Sequence, residues 1–147
     1  MIVENYGTAA GAGLTVAVVE RDSRARARLA MQLGSGVTVT DHSSIDTFET
    51  AMVRGTPTVV VLGPCFAEPS ELADVERLAR THPEAGLVLV VDELSTSVLQ
   101  QALRAGVRDV LASPDPTQLL EAVGRVGDSL NLVPRTVPTD GGVPGRL

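Results

Sequence analysis

Four short clusters in this chain carry groups able to do chemistry: Glu20-Arg21-Asp22, Gly63-Pro64-Cys65, Asp92-Glu93 and Ser113-Pro114. Neighbouring carboxylates can hold a hard divalent cation through oxygen. A thiol such as Cys65 becomes a nucleophile when a nearby cationic group lowers its pKa. No His or Lys lies near Cys65 in sequence, so a structural role is expected for it. His42 and His82 fall in turns and share no metal-ligand spacing with another ligand, so both read as solvated loop residues. The glycines of GTAAGAG, residues 7–13, precede the first apolar run. A glycine loop that cradles phosphate must follow a strand and open a helix, which excludes them. Arg21, Arg24, Arg26 and Arg28 crowd one stretch, but an amphipathic helix shows such a basic face to water without any partner.

Composition narrows the choices. The 12 basic residues are all arginine, against 18 acids, for a net charge of −6. Without lysine there is no Walker A loop and no lysine Schiff base. An acidic chain lacks the basic patch that duplex binding requires, and Trp 0, Tyr 1 and Phe 2 leave no stacking platform, so no nucleic-acid partner is expected. Cys65 is the only cysteine, which excludes an internal disulfide and suits a cytoplasmic protein. The start, MIVENYGTAAGAG, has an acid at Glu4 and no basic region, unlike a signal peptide. Apolar runs such as Leu87–Val91 fall far short of the roughly 20 residues that span a bilayer, so no membrane insertion is expected.

The elements that must position these clusters alternate. Leu14–Val19, Thr58–Leu62 and Leu87–Val91 are continuous β-branched and leucine runs, as in strands buried on both faces. Val37–Thr40 is half polar and suits an edge, and Val107–Leu111 closes the series. Five helices are expected between and after them. Asp22, Ser43 or Ser44, Ser95 and Asp115 are placed to cap four, and Pro69 opens the third. Gln118 stands where a capping-box partner belongs. The pattern is (βα)5, an α/β sandwich of three layers with a parallel sheet and right-handed crossovers. The flavodoxin-like order 2-1-3-4-5 is expected, with any site at the carboxyl ends of the strands. Residues 1–13 read as a flexible lead-in, 14–130 as the domain and 131–147 as a Pro/Gly-rich linker or tail. A linker at this place suggests a piece of a longer protein.

The stretches VVERDSRARARLAMQL, PTVVVLG and above all QALRAGVRDVLASP resemble the receiver domains of bacterial response regulators. In that likeness the last segment is the fourth helix, fifth strand and cis-proline turn. The resemblance covers about Leu14 to Leu130 and implies a CheY-like fold. It also implies a phosphorylation pocket whose parts can be located. The metal-holding acids fall on Glu20, which fits, and Arg21, which cannot ligate a cation. The phosphoacceptor falls on Gly63, which carries no nucleophile. The hydroxyl position falls on Asp92, whose charge would repel phosphate, and the lysine position falls on Ser113. The pocket is therefore read as degenerate, with no catalytic residue, no metal and no cofactor, and the chain as no enzyme. Arg21 is expected to sit in place of the metal as a counter-ion to Glu20 and Asp92. Phe66, in GPCFAEPS, reads as an exposed loop aromatic that is either a contact or a plug.

The resemblance extends to function. In receivers the face of the fourth helix, fifth strand and fifth helix commonly dimerises. Here it would include Gln100, Gln101, Arg104, Arg108, Asp109, Gln118, Glu121 and Arg125, a mixed-charge set suited to pairing across a two-fold axis. An atypical receiver followed by a linker also looks like the N-terminal part of TadZ/CpaE-type pilus-assembly proteins. These likenesses imply a phosphorylation-independent interaction and localisation module. It would be a homodimer with pilus, secretion or signalling partners, cytoplasmic and recruited to a cell pole or membrane-associated machinery. The alternatives are the receiver of an atypical response regulator under ligand or partner control, and a small flavodoxin-like nucleotide- or flavin-binding protein.

Overall fold

The computed structural model describes residues 14–34, 37–53 and 55–136, with 131–136 as backbone only. The expected lead-in and residues 137–147 of the expected tail lie outside them.

Strands β1 (Thr15–Val19), β2 (Thr38–His42), β3 (Thr58–Leu62), β4 (Ala85–Val91) and β5 (Asp109–Ala112) form one sheet. It is parallel throughout, in the order β2-β1-β3-β4-β5. The helices are α1 (Ser23–Leu33), α2 (Ile45–Ala51), α3 (Pro69–Thr81), α4 (Thr96–Arg104) and α5 (Pro116–Thr136), with a 3-10 turn at Pro64–Ala67. The flavodoxin-like arrangement expected from the sequence is thus the one observed.

Strand periodicity divides the core in two. Ala17, Val19, Val60, Leu62, Leu87 and Leu89 face Ile45 and Phe48 of α2, Leu72, Val75 and Leu78 of α3, and Ala102 of α4. Val16, Val18, Val59, Val61, Val88 and Val90 face Leu29 and Leu33 of α1 and Leu119, Val123, Val126 and Leu130 of α5. Each valine, leucine, isoleucine or phenylalanine among them taken from water stabilises the fold by about 1.5–3 kcal/mol. β2 has a single strand partner and is the most solvent-exposed of the first four strands, with no fully buried residue, as suits an edge strand.

Local chemistry sets the helix ends. The side chains of Asp22, Ser44 and Ser95 accept from the N–H groups of Ala25, Thr47 and Val98, and Ser44 is the cap where Ser43 was the other candidate. Asp115 and Gln118 form the reciprocal box, at 2.8 and 2.9 Å. Gly106, at φ +101, closes the turn after α4 in a conformation that disfavours side chains. α5 does not stop at Leu130. It runs on to Thr136, into the stretch expected as linker, because Leu130 anchors the preceding turn and adding to a formed helix is favourable.

Two residues read as exposed are buried. Phe66 is 3% exposed and plugs the core beside Leu72, so it is no surface contact. His82, expected in solvent, is 4% exposed at the end of α3. Glu49 of α2 reaches one ring nitrogen and Glu84 lies near the other, so carboxylates replace water there. His42 is half-buried, edge-on to Phe48, and burial lowers its pKa despite the pull of Asp41.

Candidate functional site

β1 and β3 end side by side, with Val19 paired to Leu62. Glu20 and Gly63 therefore emerge next to each other at the carboxyl edge, where a doubly wound sheet places its ligands. The Glu20 carboxylate does not open to solvent; the residue is 2% exposed. Its Oε2 accepts from the Asp22 N–H at 2.7 Å and its Oε1 from the Cys65 N–H at 3.0 Å. The Glu20 carbonyl accepts from Arg26 Nη1 at 2.8 Å, and the Gly63 N–H donates to the Val19 carbonyl at 2.9 Å. These bonds stitch the loop after β1 to the loop after β3.

The side chain lies in the space a residue at Gly63 would need. A Cβ built there would meet Glu20 Oε1 and stand 2.8 Å from its Cβ and Cδ. Gly63 has φ −80, so its backbone suits any residue; space alone demands glycine. The Glu20 carboxylate is thus folded inward over Gly63 and held by two amides. Glutamate is one methylene longer than aspartate, and that reach, opposite a glycine, was the signal in the sequence.

Arg21 does not act as counter-ion to Glu20 and Asp92. It turns outward, 63% exposed, and Nη2 bonds Glu71 of α3 at 2.8 Å. Because both Glu20 oxygens are already bonded to amides, Glu71 is the better partner, and that bond is the main cause of the raised Arg21 pKa. Arg21 and Glu71 line a cleft of about 540 Å³ with Phe66, Asp74 and Arg77. Asp92 and Ser113 lie elsewhere. They follow the paired ends of β4 and β5, and Ser113 Oγ donates to the Asp92 carbonyl at 2.9 Å. Both side chains are exposed, and with Pro64, Arg28 and Gln32 they line a separate cavity of about 280 Å³. The expected cis-proline turn is absent: no cis peptide occurs among the described residues, and Ser113 instead turns the chain at φ 43.

Cys65 is half-buried, and burial, with Glu20 nearby, pushes its thiol up to about 11, so it stays protonated at neutral pH. Among the described residues no group of three or more His, Cys, Asp or Glu is placed to hold a metal. No described helix is long and apolar enough to cross a membrane.

On the far face, part of the expected contact set is engaged within the chain. Arg125 bonds Asp109 at 2.8 Å and Arg108 bonds Ser129 at 3.0 Å. Gln118 is committed to the α5 cap, and Gln101 bonds Ser97 at 3.2 Å. Gln100, Arg104 and Glu121 are exposed and have no side-chain bond among the described residues.

The fold defines a receiver-like domain of the CheY type. A CheY-like response-regulator receiver protein from Methanospirillum hungatei matches with a TM-score of 0.67 and 15% identity, over 81% of this chain and 97% of that one. A nearer likeness in sequence is to pilus-assembly proteins. One from Burkholderia thailandensis, described as a pilus assembly protein (CpaE), matches with a TM-score of 0.69 and 29% identity, over 78% of this chain and 98% of that one. A CheY-like protein, TadZ, from Pseudomonas aeruginosa matches with a TM-score of 0.62 and 19% identity, over 87% of this chain and 98% of that one. The chain is a receiver-like domain resembling TadZ and CpaE. No family model matches the sequence, and no curated protein does.

Proposed function

We propose that this domain is a phosphorylation-independent interaction and localisation module in a pilus-assembly or secretion apparatus, and not an enzyme. The observation that carries the first half is the Glu20–Gly63 interlock. The place of a phosphoacceptor holds glycine, and the space beside it is filled by a carboxylate with both oxygens bonded. Arg21 and Ser113 add that neither a second metal-holding acid nor a phosphate-pairing lysine is present. The likeness to CpaE supports the second half. Recruitment to a cell pole belongs to the same reading.

The deciding experiment is incubation with acetyl phosphate and Mg²⁺ followed by intact mass. An unchanged mass is expected, and a gain of one phosphoryl group overturns phosphorylation independence.

The proposed partner is first a second copy, joined through α4, β5 and α5. Leu103, 51% exposed on α4, offers an apolar centre, flanked by Gln100, Arg104 and Glu121. Asp109 and Arg125 then act within each copy and not across the axis. Arg104→Glu combined with Arg108→Glu is expected to move the protein from dimer to monomer in sedimentation. An unchanged oligomeric state rules out this face.

A further inference from the structure

We propose that Glu49, His82 and Glu84 form a proton-operated clasp that holds α2 against the turn between α3 and β4. His82 is fixed by its backbone: its N–H donates to the Leu78 carbonyl at 2.9 Å, and its own carbonyl accepts from the Ala85 N–H at 2.9 Å. The ring cannot turn away to water, because it is buried. Nε2 lies 3.2 Å from Glu49 Oε2, and Nδ1 lies 3.6 Å from Glu84 Oε2. Nδ1 has no hydrogen-bond partner in this arrangement.

Hydrogen counting shows what the site asks for. A neutral imidazole has one N–H and one lone pair; an imidazolium has two N–H groups. With a carboxylate facing each nitrogen, only the charged ring donates in both directions. The neutral ring turns a lone pair toward one of two anions. Closing by the short distance still open at Nδ1 completes the clasp when the ring is charged; losing the proton removes the tie to Glu84 and leaves the tie to Glu49, which holds α2, without the charge on the ring and so weaker.

The surrounding charges sharpen the effect. From α3, Arg77 Nη1 also bonds Glu49, at 3.1 Å, with Asp46 and Asp74 nearby. From the loop before β3, the Gly55 N–H donates to Glu84 Oε2 at 3.2 Å. Burial acts to raise the Glu84 pKa, but its own N–H, the Gly55 N–H and His82 outweigh it and hold it below the ordinary value. Glu84 therefore faces Nδ1 as an anion. Arg77 also lines the cleft beside Arg21, so the clasp reaches from the amino end of the sheet to its functional edge through one shared carboxylate.

The test reads ring and helix together. Nitrogen NMR follows the protonation of His82, and hydrogen exchange follows the α2 amides of Phe48 and Ala51, both between about pH 5 and 9. Protection of α2 is expected to fall roughly tenfold as pH rises through the titration of the ring, with the same midpoint. His82→Gln is expected to flatten that profile, and His42→Gln to leave it. If His82→Gln does not fold, Glu49→Gln, which keeps the shape and removes the charge, is expected to flatten it instead. Protection that ignores the ring, a ring that keeps one state over the whole range, or an unchanged profile in these variants overturns the clasp.

Discussion

Gly63→Ala is expected to destabilise the domain by about 3 kcal/mol, and by less than about 1 kcal/mol when Glu20 is alanine as well. Alanine in an extended segment with open space around it is about neutral or better, because it restricts the unfolded chain. Here the new Cβ falls onto Glu20. The carboxylate has no exit, since it is enclosed and bonded to the N–H groups of Asp22 and Cys65. Either the loops part, or the carboxylate gives up bonds to charged oxygen worth about 1.5–3 kcal/mol each. Glu20→Ala alone leaves two amides without their acceptor, and also vacates the space. The second substitution then costs little, so the pair couples by about 2 kcal/mol. Urea midpoints for the four proteins of the cycle, at constant m-value, measure this. Additive losses would mean that the two positions do not compete for one space.

The same interlock bears on any attempt to restore phosphorylation. Gly63→Asp alone puts a second carboxylate against the first, and two close carboxylates disfavour sharing a site while both are charged. Glu20→Ala with Gly63→Asp moves the carboxylate back to β3, and the expected order of stability is the double variant above the single Gly63→Asp.

The second large effect lies at the opposite end of the sheet. Gly86→Ala is expected to cost about 2 kcal/mol, whereas Gly124→Ala is expected to stabilise by about 1 kcal/mol. Gly86 lies in β4 under α5. A Cβ there would stand 2.5 Å from Val126 Cγ1 and 3.0 Å from Leu130 Cδ1, both packed in the core. Gly124 lies in α5 with open space around it, so alanine only improves helix propensity. Thermal unfolding of both variants distinguishes the signs. A neutral Gly86→Ala would show that the last turns of α5 yield easily, and the continuous helix beyond Leu130 would then lack its anchor.

Much of the fold is legible in the chain because its causes are local. Valine and leucine runs such as Thr58–Leu62 mark strands buried on both faces, and Asp22, Ser95 and the Asp115–Gln118 box mark helix starts by hydrogen bonds spanning three residues. The edge position of β2 follows from its alternation with polar residues. The identities on which the proposed degenerate pocket rests are legible too, since glycine at 63, serine at 113 and the lack of any lysine are facts of composition. What escapes is every partner fixed at long range. Arg21 meets Glu71 and His82 meets Glu49 across large separations in sequence, and nothing near either residue names the other. Phe66 sits in the short turn Pro64–Ala67 with no periodic pattern to assign it a side, so its burial depends on α3 closing over it. The end of α5 escapes for the converse reason: prolines and glycines signal a linker locally, while the core at Leu130 carries the helix onward to Thr136.

The amino-acid sequence by itself therefore determined the three-layer architecture, the strand order and the side chains present at the strand ends. Each follows from periodicity, capping or the plain identity of a side chain. Only the tertiary structure decided how those side chains meet. Two strands ending side by side bring a buried glutamate against a glycine, and packing, which depends on the meeting of distant segments, fills the space beside Gly63.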